Sequence, residues 1–253
     1  MQAGDRDQAL FEFVLRLGDS TLILGHRLSE WCGHGPMLEE DIAMANIALD
    51  LIGQTQMWLG LAASVAGKGQ SADDLAYHRD AMDFRNLLLV EQHNGDFATT
   101  IIRQYLFDAW HVPLLDALAG AGDPRIAEIA AKAVKEARYH RDRSADLVIR
   151  LGDGSAESHA RMQSALDTLW PFTGEMFETD EIEAALPGIA PDATALRGLW
   201  DQNVQVTLAT ATLTPPINGF ARSGGRVGRH SEHLGYILAE MQFLQRAYPG
   251  AEW

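Results

Sequence analysis

Asp50, Asp108, Glu136 and His140 are the residues of this chain whose types and spacing could do chemistry together. Each lies near the middle of a long segment of helical periodicity. Asp108 interrupts the apolar row Ile101, Tyr105, Asp108, Val112, Leu115. Glu136 and His140 interrupt the row Ile126, Ile129, Ala133, Glu136, His140, Ser144, Leu147, Leu151. Asp50 lies beside the row of an earlier segment, on a line with Asn46 and Gly53. Carboxylates inside a helical bundle are costly unless paired or bound to metal. The chemistry they suggest is a carboxylate-bridged two-metal site. Such a site takes one Glu from each of two helices and a Glu-x-x-His from each of the other two. Iron and manganese suit these mixed oxygen and nitrogen ligands.

The template is not met. Glu-x-x-His occurs nowhere in the chain. Glu136 stands four positions before His140, and the residue three before it is Ala137. Asp50 is followed three positions later by Gly53, where the template has histidine. The first long segment offers no carboxylate on its interior row. Asp19 is expected to face outward, Ser20 to lie nearer the interior, and Glu30 to sit too close to the hairpin tip. Counted outward from the loop near residue 122, Asp108 and Glu136 come out level across their hairpin. The degenerate positions Asp50, Gly53, Asp108, Glu136, Ala137 and His140 are therefore expected to hold no metal. A polar cluster satisfied by Asp–His and Asp–Arg pairing is the plainer reading; a residual one-metal site and a working two-metal centre stand beside it.

The elements that must position these residues are helices. From Leu10 the apolar positions step by 4 and 3 through Val14, Leu17, Thr21, Leu24, Leu28 and Trp31, with Thr21 the one break. Gly33 and Gly35 stop that helix and Pro36 opens the next. The second runs to about Ala66 on the row Leu38, Ile42, Ala45, Leu49, Ile52, Gln56, Leu59, Ala63, with Met44, Ile47, Leu51, Met57 and Trp58 on its other faces. A helix apolar nearly all round is expected to be buried. Ser71 with Asp74 reads as a capping box on a short helical segment, and another turn or two follows through Leu87 to Val90. The third long helix spans about Asp96 to Ala119, kinked at Pro113. The fourth starts at Pro124 and ends at Gly152. Short loops imply antiparallel hairpins and a four-helix bundle. Further helices follow near 159–177, 192–213 and 231–248. No period-2 segment stands out, so no sheet is expected. The fold expected is all-α, a single ferritin-like domain over 1–253, with a core bundle at about 7–152 and appended helices at about 155–253.

Apolar residues make up 47% and charged residues 22% of the chain, enough for a large ordered core. The formal net charge is −15, which repels nucleic acid and anionic membranes, so neither is an expected partner. The single cysteine, Cys32, near a helix end, excludes an intrachain disulfide. The first seven residues lack the basic and apolar regions of a signal peptide, and no apolar run is long enough to span a membrane. A cytoplasmic location is expected. Residues 224–229, Gly-Gly-Arg-Val-Gly-Arg, have the composition of a phosphate loop but follow no strand, so a flexible loop is the plainer reading. His230 and His233, at the start of the last helix, read as polar capping before metal ligands. Trp31, Trp58, Trp110, Trp170 and Trp200 read as core or interface.

Several runs carry a resemblance over nearly the whole chain, from about Phe13 to Trp253. They are residues 27–36 (Arg-Leu-Ser-Glu-Trp-Cys-Gly-His-Gly-Pro), 45–54 (Ala-Asn-Ile-Ala-Leu-Asp-Leu-Ile-Gly-Gln), 86–92 (Asn-Leu-Leu-Leu-Val-Glu-Gln) and 135–140 (Lys-Glu-Ala-Arg-Tyr-His), with 232–235 (Glu-His-Leu-Gly) and 240–246 (Glu-Met-Gln-Phe-Leu-Gln-Arg) near the end. The sequence resembles the C subunits of phenylacetyl-CoA 1,2-epoxidase complexes, which serve aerobic phenylacetate catabolism. The resemblance implies a ferritin-like fold and a structural, non-catalytic role. It implies pairing with a homologous catalytic subunit whose di-iron centre epoxidises the aromatic ring. It implies no cofactor in this chain, and Gly53 and Ala137 then stand where a catalytic relative has His and Glu. Self-association of the isolated chain is expected too. Two other functions fit the residues alone: a metal-dependent oxidoreductase using Asp50, Asp108, Glu136 and His140, and a helical acyl-CoA-binding module, which would want a basic groove.

Overall fold

The computed structural model describes residues 3–217 and 221–251; the last two positions of the resemblance, 252 and 253, lie outside them. The described residues are all-α. Eleven α-helices and four short 3-10 turns are present and no strand. The four long helices expected of a ferritin-like core are there, with further helices after them. They are α1 (Ala3–Ser29), α2 (Leu38–Ala66), α5 (Phe97–Leu118) and α6 (Pro124–Gly152). Between them come α3 (Ala72–Tyr77) and α4 (Leu88–Glu91), and after them α7 (Ala156–Leu169), α8 (Glu181–Ala184), α9 (Ala193–Thr210), α10 (Glu232–Met241) and α11 (Phe243–Ala247). The capping box at Ser71 forms with Asp74 as its spacing predicts. Asp96 and Asp123 cap α5 and α6 through Thr99 N–H and Arg125 N–H.

The chain divides into two compact units. One holds α1 to α4 with α8, α10 and α11; the other holds α5 to α7 with α9. In the first, α1 packs along α2. Thr21, the polar break in the α1 row, meets Thr55 hydroxyl to hydroxyl at 2.8 Å, which satisfies both side chains inside the contact. In the second, α5 packs on α6, α7 and α9, and Trp200 of α9 donates to the Leu106 carbonyl at 3.1 Å. Trp58 and Trp200 are wholly buried and Trp110 nearly so.

The burial of α2 corrects the sequence expectation. The predicted interior row is largely outside: Leu38 is 71% exposed and Leu49 67%, with Ile42 and Ile52 exposed as well. The opposite side, with Met44, Ile47, Leu51 and Trp58, is the buried one. Both rows are apolar, so periodicity alone does not choose between them. The helices buried nearly all round are α1 and α5 instead.

Residues 224–229 are packed rather than loose. A Cβ on Gly225 would lie 2.2 Å from the Asn86 carbonyl oxygen, and one on Gly228 2.3 Å from that of Met82. Gly228 also has φ +79, in the left-handed region that glycine enters without strain. The glycines let this loop lie flat on the 82–88 segment, and Arg226 ion-pairs with Glu183.

Candidate functional site

α5 carries Asp108 into the core of the second unit, where it is wholly buried. Its carboxyl accepts from Gln104 Nε2 at 2.8 Å, one turn earlier, and meets Ser144 Oγ of α6 at 2.9 Å. Burial pushes the Asp108 carboxyl up to about 8, against the lowering effect of those two hydrogen bonds. His111 lies one turn after Asp108 and is buried as well. Burial drives its imidazole down to about 3, helped by the nearby His140, so it is neutral. His111 Nδ1 has no hydrogen-bond partner among the described residues. His140 of α6 is wholly buried. The second unit thus gathers Asp108, His111, Ser144 and His140 around the α5–α6 contact. Sequence reasoning misses His111; the spacing Asp108-Ala-Trp-His111, a carboxylate three positions before a histidine, is its signal.

Two expectations about α6 are corrected. Glu136 is half-buried and does not interrupt the interior row. That row runs Ile126, Ala130, Ala133, Ala137, His140, Ser144, Leu147, with Ala130 and Ala137 in the places given to Ile129 and Glu136. Glu136 is also not level with Asp108, whose partner is Ser144, eight positions on. Helical side chains lean toward their own N-terminus. In an antiparallel hairpin Asp108 leans away from the loop and Glu136 toward it, worth about one position on each helix. The rest of the offset is a stagger of α6 along α5 that counting from the loop does not capture.

The remaining predicted positions belong to the first unit. Asp50 is half-buried on α2, and Gly53 is exposed, with nothing within 4 Å of where a methyl group would stand. Asp19 is corrected outright: it is wholly buried, not outward-facing. Both its oxygens face the Arg79 guanidinium, with Nη1 at 3.0 Å, and Arg85 N–H donates to it at 2.8 Å. Among the described residues, no group of three or more His, Cys, Asp or Glu side chains is arranged to hold a metal ion.

A second buried acid of this unit is also not foreseen by the sequence pattern. Glu91, wholly buried at the end of α4, accepts from His230 Nδ1 at 2.9 Å, Ser231 N–H at 2.6 Å and Asn86 Nδ2 at 3.1 Å. His230 Nε2 meets the Phe84 carbonyl at 3.0 Å. Burial works against charging His230, but the bond and charge of Glu91 outweigh it and raise its pKa. His230 is thus half of a buried ion pair rather than a helix cap. His233 instead packs edge-on against His93, with ring centroids 5.2 Å apart. A third cluster ties α1 to α8, where Arg16 meets Asp180 at 2.6 Å and Glu183 at 2.9 Å. Partial burial works against the Asp180 anion, but its bonds to Arg16 prevail and hold its carboxyl below the usual carboxylate range.

The second unit also has a groove of about 630 Å³ walled by Val112, Pro113, Leu196, Leu199 and Val206. Its charged lining is Asp116, Asp192 and Arg141, the last bonded to Asp142. One cation against two acids is a poor match to the phosphates of an acyl-CoA. No helix among the described residues is long and apolar enough to cross a membrane.

Comparison with known proteins places the whole chain. It is 52% identical over 246 residues to the C subunit of 1,2-phenylacetyl-CoA epoxidase from Escherichia coli (strain K12), covering 96% of this chain and 99% of that protein. The model of the phenylacetic acid catabolic protein family matches residues 1–253. The chain belongs to the phenylacetic acid catabolic protein family.

Proposed function

We propose that this chain is a non-catalytic structural subunit of a phenylacetyl-CoA epoxidase complex in the cytoplasm, with residues 1–253 acting as one ferritin-like domain. It pairs with a homologous catalytic subunit that carries the di-iron centre, and itself holds no cofactor. The observation that carries this is the identity along the full length of a C subunit, joined to the chemistry of the α5–α6 core. Ala137, a methyl group, stands in line with His140 on the buried row at the i, i+3 spacing where a ligand pair would need a carboxylate. Asp108 is met by an amide and a hydroxyl, the surroundings of a neutral acid rather than of an anionic ligand.

The test is to purify the chain alone and with its catalytic subunit, and to measure metal content, complex formation and turnover. The expected result is no stoichiometric iron in the isolated chain, a stable pair in the mixture, and turnover that survives His140→Ala once folding is matched. One or two irons per isolated chain, lost together with turnover in His140→Ala, would replace this reading with a metal enzyme.

A further inference from the structure

The α2 row that sequence patterning assigns to the interior faces solvent. Leu38, Ile42, Ala45, Leu49, Ile52 and Gln56 follow one another by 4, 3, 4, 3 and 4 residues. That is the seam spacing of one helix packing along another. Over the 14 residue steps from Leu38 to Ile52 its apolar part is about 21 Å long at the helical rise. An apolar strip of this length is not scattered surface hydrophobicity. Its side chains are large: Leu38 and Leu49 are each about two-thirds exposed or more. Small residues, Ala45 on the seam and Gly53 beside it, would let a second backbone come close.

Charge limits what that second helix is. From Leu38 to Ala66, α2 holds Glu39, Glu40, Asp41 and Asp50 and no Lys, Arg or His. Glu39 and Asp50 lie along one flank of the seam, since they are 11 residues, three turns, apart. A second copy would set an all-acidic helix against an all-acidic helix, within a pair of chains that each carry −15. Like charges flanking a helical seam select against that pairing. We propose that the exposed α2 seam is the docking face for a helix of the catalytic partner, one with its own apolar 4, 3 row and with Arg or Lys along the flank that meets Glu39 and Asp50. This rests on the pairing proposed above. The self-association expected from sequence is not assigned to this face.

The experiment is a titration of the catalytic subunit against wild type, Leu38→Glu/Leu49→Glu and Glu39→Lys, followed by light scattering. These side chains are exposed, so the variants should keep the wild-type circular dichroism and melting temperature, which are measured first. The double variant is expected to weaken pairing about 100-fold. Glu39→Lys is expected to weaken it by about five-fold at low ionic strength and less in high salt. A folded double variant that pairs like wild type overturns the seam while leaving the pairing itself intact. Unchanged or tighter pairing by Glu39→Lys overturns the basic flank. Wild type that dimerises alone, with the double variant monomeric, gives the face to a second copy and overturns the assignment. Wild type that does not pair at all sinks the proposed function, and this inference with it.

Discussion

Asp19 in the first unit and Asp108 in the second are both wholly buried, yet the fold holds them in opposite ways. Asp19 faces a guanidinium and a backbone N–H. Asp108 faces an amide and a hydroxyl. A buried anion is tolerable when a cation and hydrogen bonds replace its hydration. Where no cation touches it, the acid keeps its proton instead. The geometry around Asp108 suits the protonated form. Ser144 Oγ faces two acceptors, Asp108 Oδ2 and the Arg141 carbonyl at 3.2 Å, so when its hydroxyl donates to the carbonyl it can accept a hydrogen bond from a protonated Asp108. Asp19 is therefore held as a charge by partners far along the chain, and Asp108 as a neutral acid by hydrogen bonds. That difference separates a buried ion pair from a buried hydrogen-bonded acid.

Removing the cation from the first kind of site should have the largest effect. Arg79→Ala leaves Asp19 buried and uncompensated, and also removes the bond from Arg79 Nη1 to the Asp83 carbonyl. A loss of about 3–5 kcal/mol of folding stability is expected, read from urea denaturation. Asp19→Asn in the Arg79→Ala background should recover part of it, because the stranded charge is then gone. An Arg79→Ala protein within about 1 kcal/mol of wild type would show that the pair does not carry the compensation assigned to it.

The next effect comes from Glu91 and His230, where the cation can be switched off. Both His230 nitrogens meet acceptors, the Glu91 carboxylate and the Phe84 carbonyl, so the charged imidazole serves both. Its pKa in the fold is raised above the ordinary 6.5. The stability it contributes is then full below that ordinary value and is lost as pH rises through the raised one. His230→Gln should cost about 1–3 kcal/mol near pH 6, and the gap to wild type should shrink as pH rises through the alkaline side of neutrality. A gap that stays constant from about pH 6 to pH 9 would mean that the imidazole is not charged in the fold.

Much of this is legible in the sequence, and the rest fails for definite reasons. The 4, 3 apolar steps mark the four long helices, and the Ser71–Asp74 capping box follows from local chemistry. The Asp96 and Asp123 caps are added by the structure at the helix starts read from the sequence. Local pattern does not decide which side of α2 is buried, because Leu38, Leu49 and Ile52 are as apolar as Met44, Leu51 and Trp58. Asp19 looks outward in the sequence because its partner Arg79 lies 60 positions away, and pairing at that distance leaves no local mark. Glu91 and His230, 139 positions apart, are hidden in the same way. Matching Asp108 to Glu136 by counting Cα positions ignores the opposite lean of side chains in an antiparallel hairpin and the stagger of α6 along α5. The spacing from Asp108 to His111 is visible in the chain but escapes a template that asks for glutamate.

The smallest effect, and the sharpest test of the comparison, is Asp108→Asn. An asparagine amide has the shape of a protonated carboxyl, with one acceptor oxygen and a donor nitrogen. The oxygen can take the bond from Gln104 Nε2 and the nitrogen can donate to Ser144 Oγ, so the network survives. The change near pH 4 should be within about 1 kcal/mol. The sign then follows from the raised pKa. An acid raised from 3.8 to about 8 contributes full stability below its unfolded value and loses it as pH climbs through the folded one. Wild type should therefore lose stability steadily from about pH 4 to about pH 8, where the folded acid must hold a proton that the unfolded one has given up, and level off above that, while Asp108→Asn has nothing there to titrate. Melting temperatures compared from about pH 4 to pH 9.5 should start nearly equal, separate in favour of the variant up to about pH 8 and then run parallel. A variant strongly destabilised already near pH 4, with a gap that does not change with pH, would mean that Asp108 is held as an anion. Asp108 would then be a compensated buried charge as Asp19 is, and a cation at Asp108 and His140 would have to be sought.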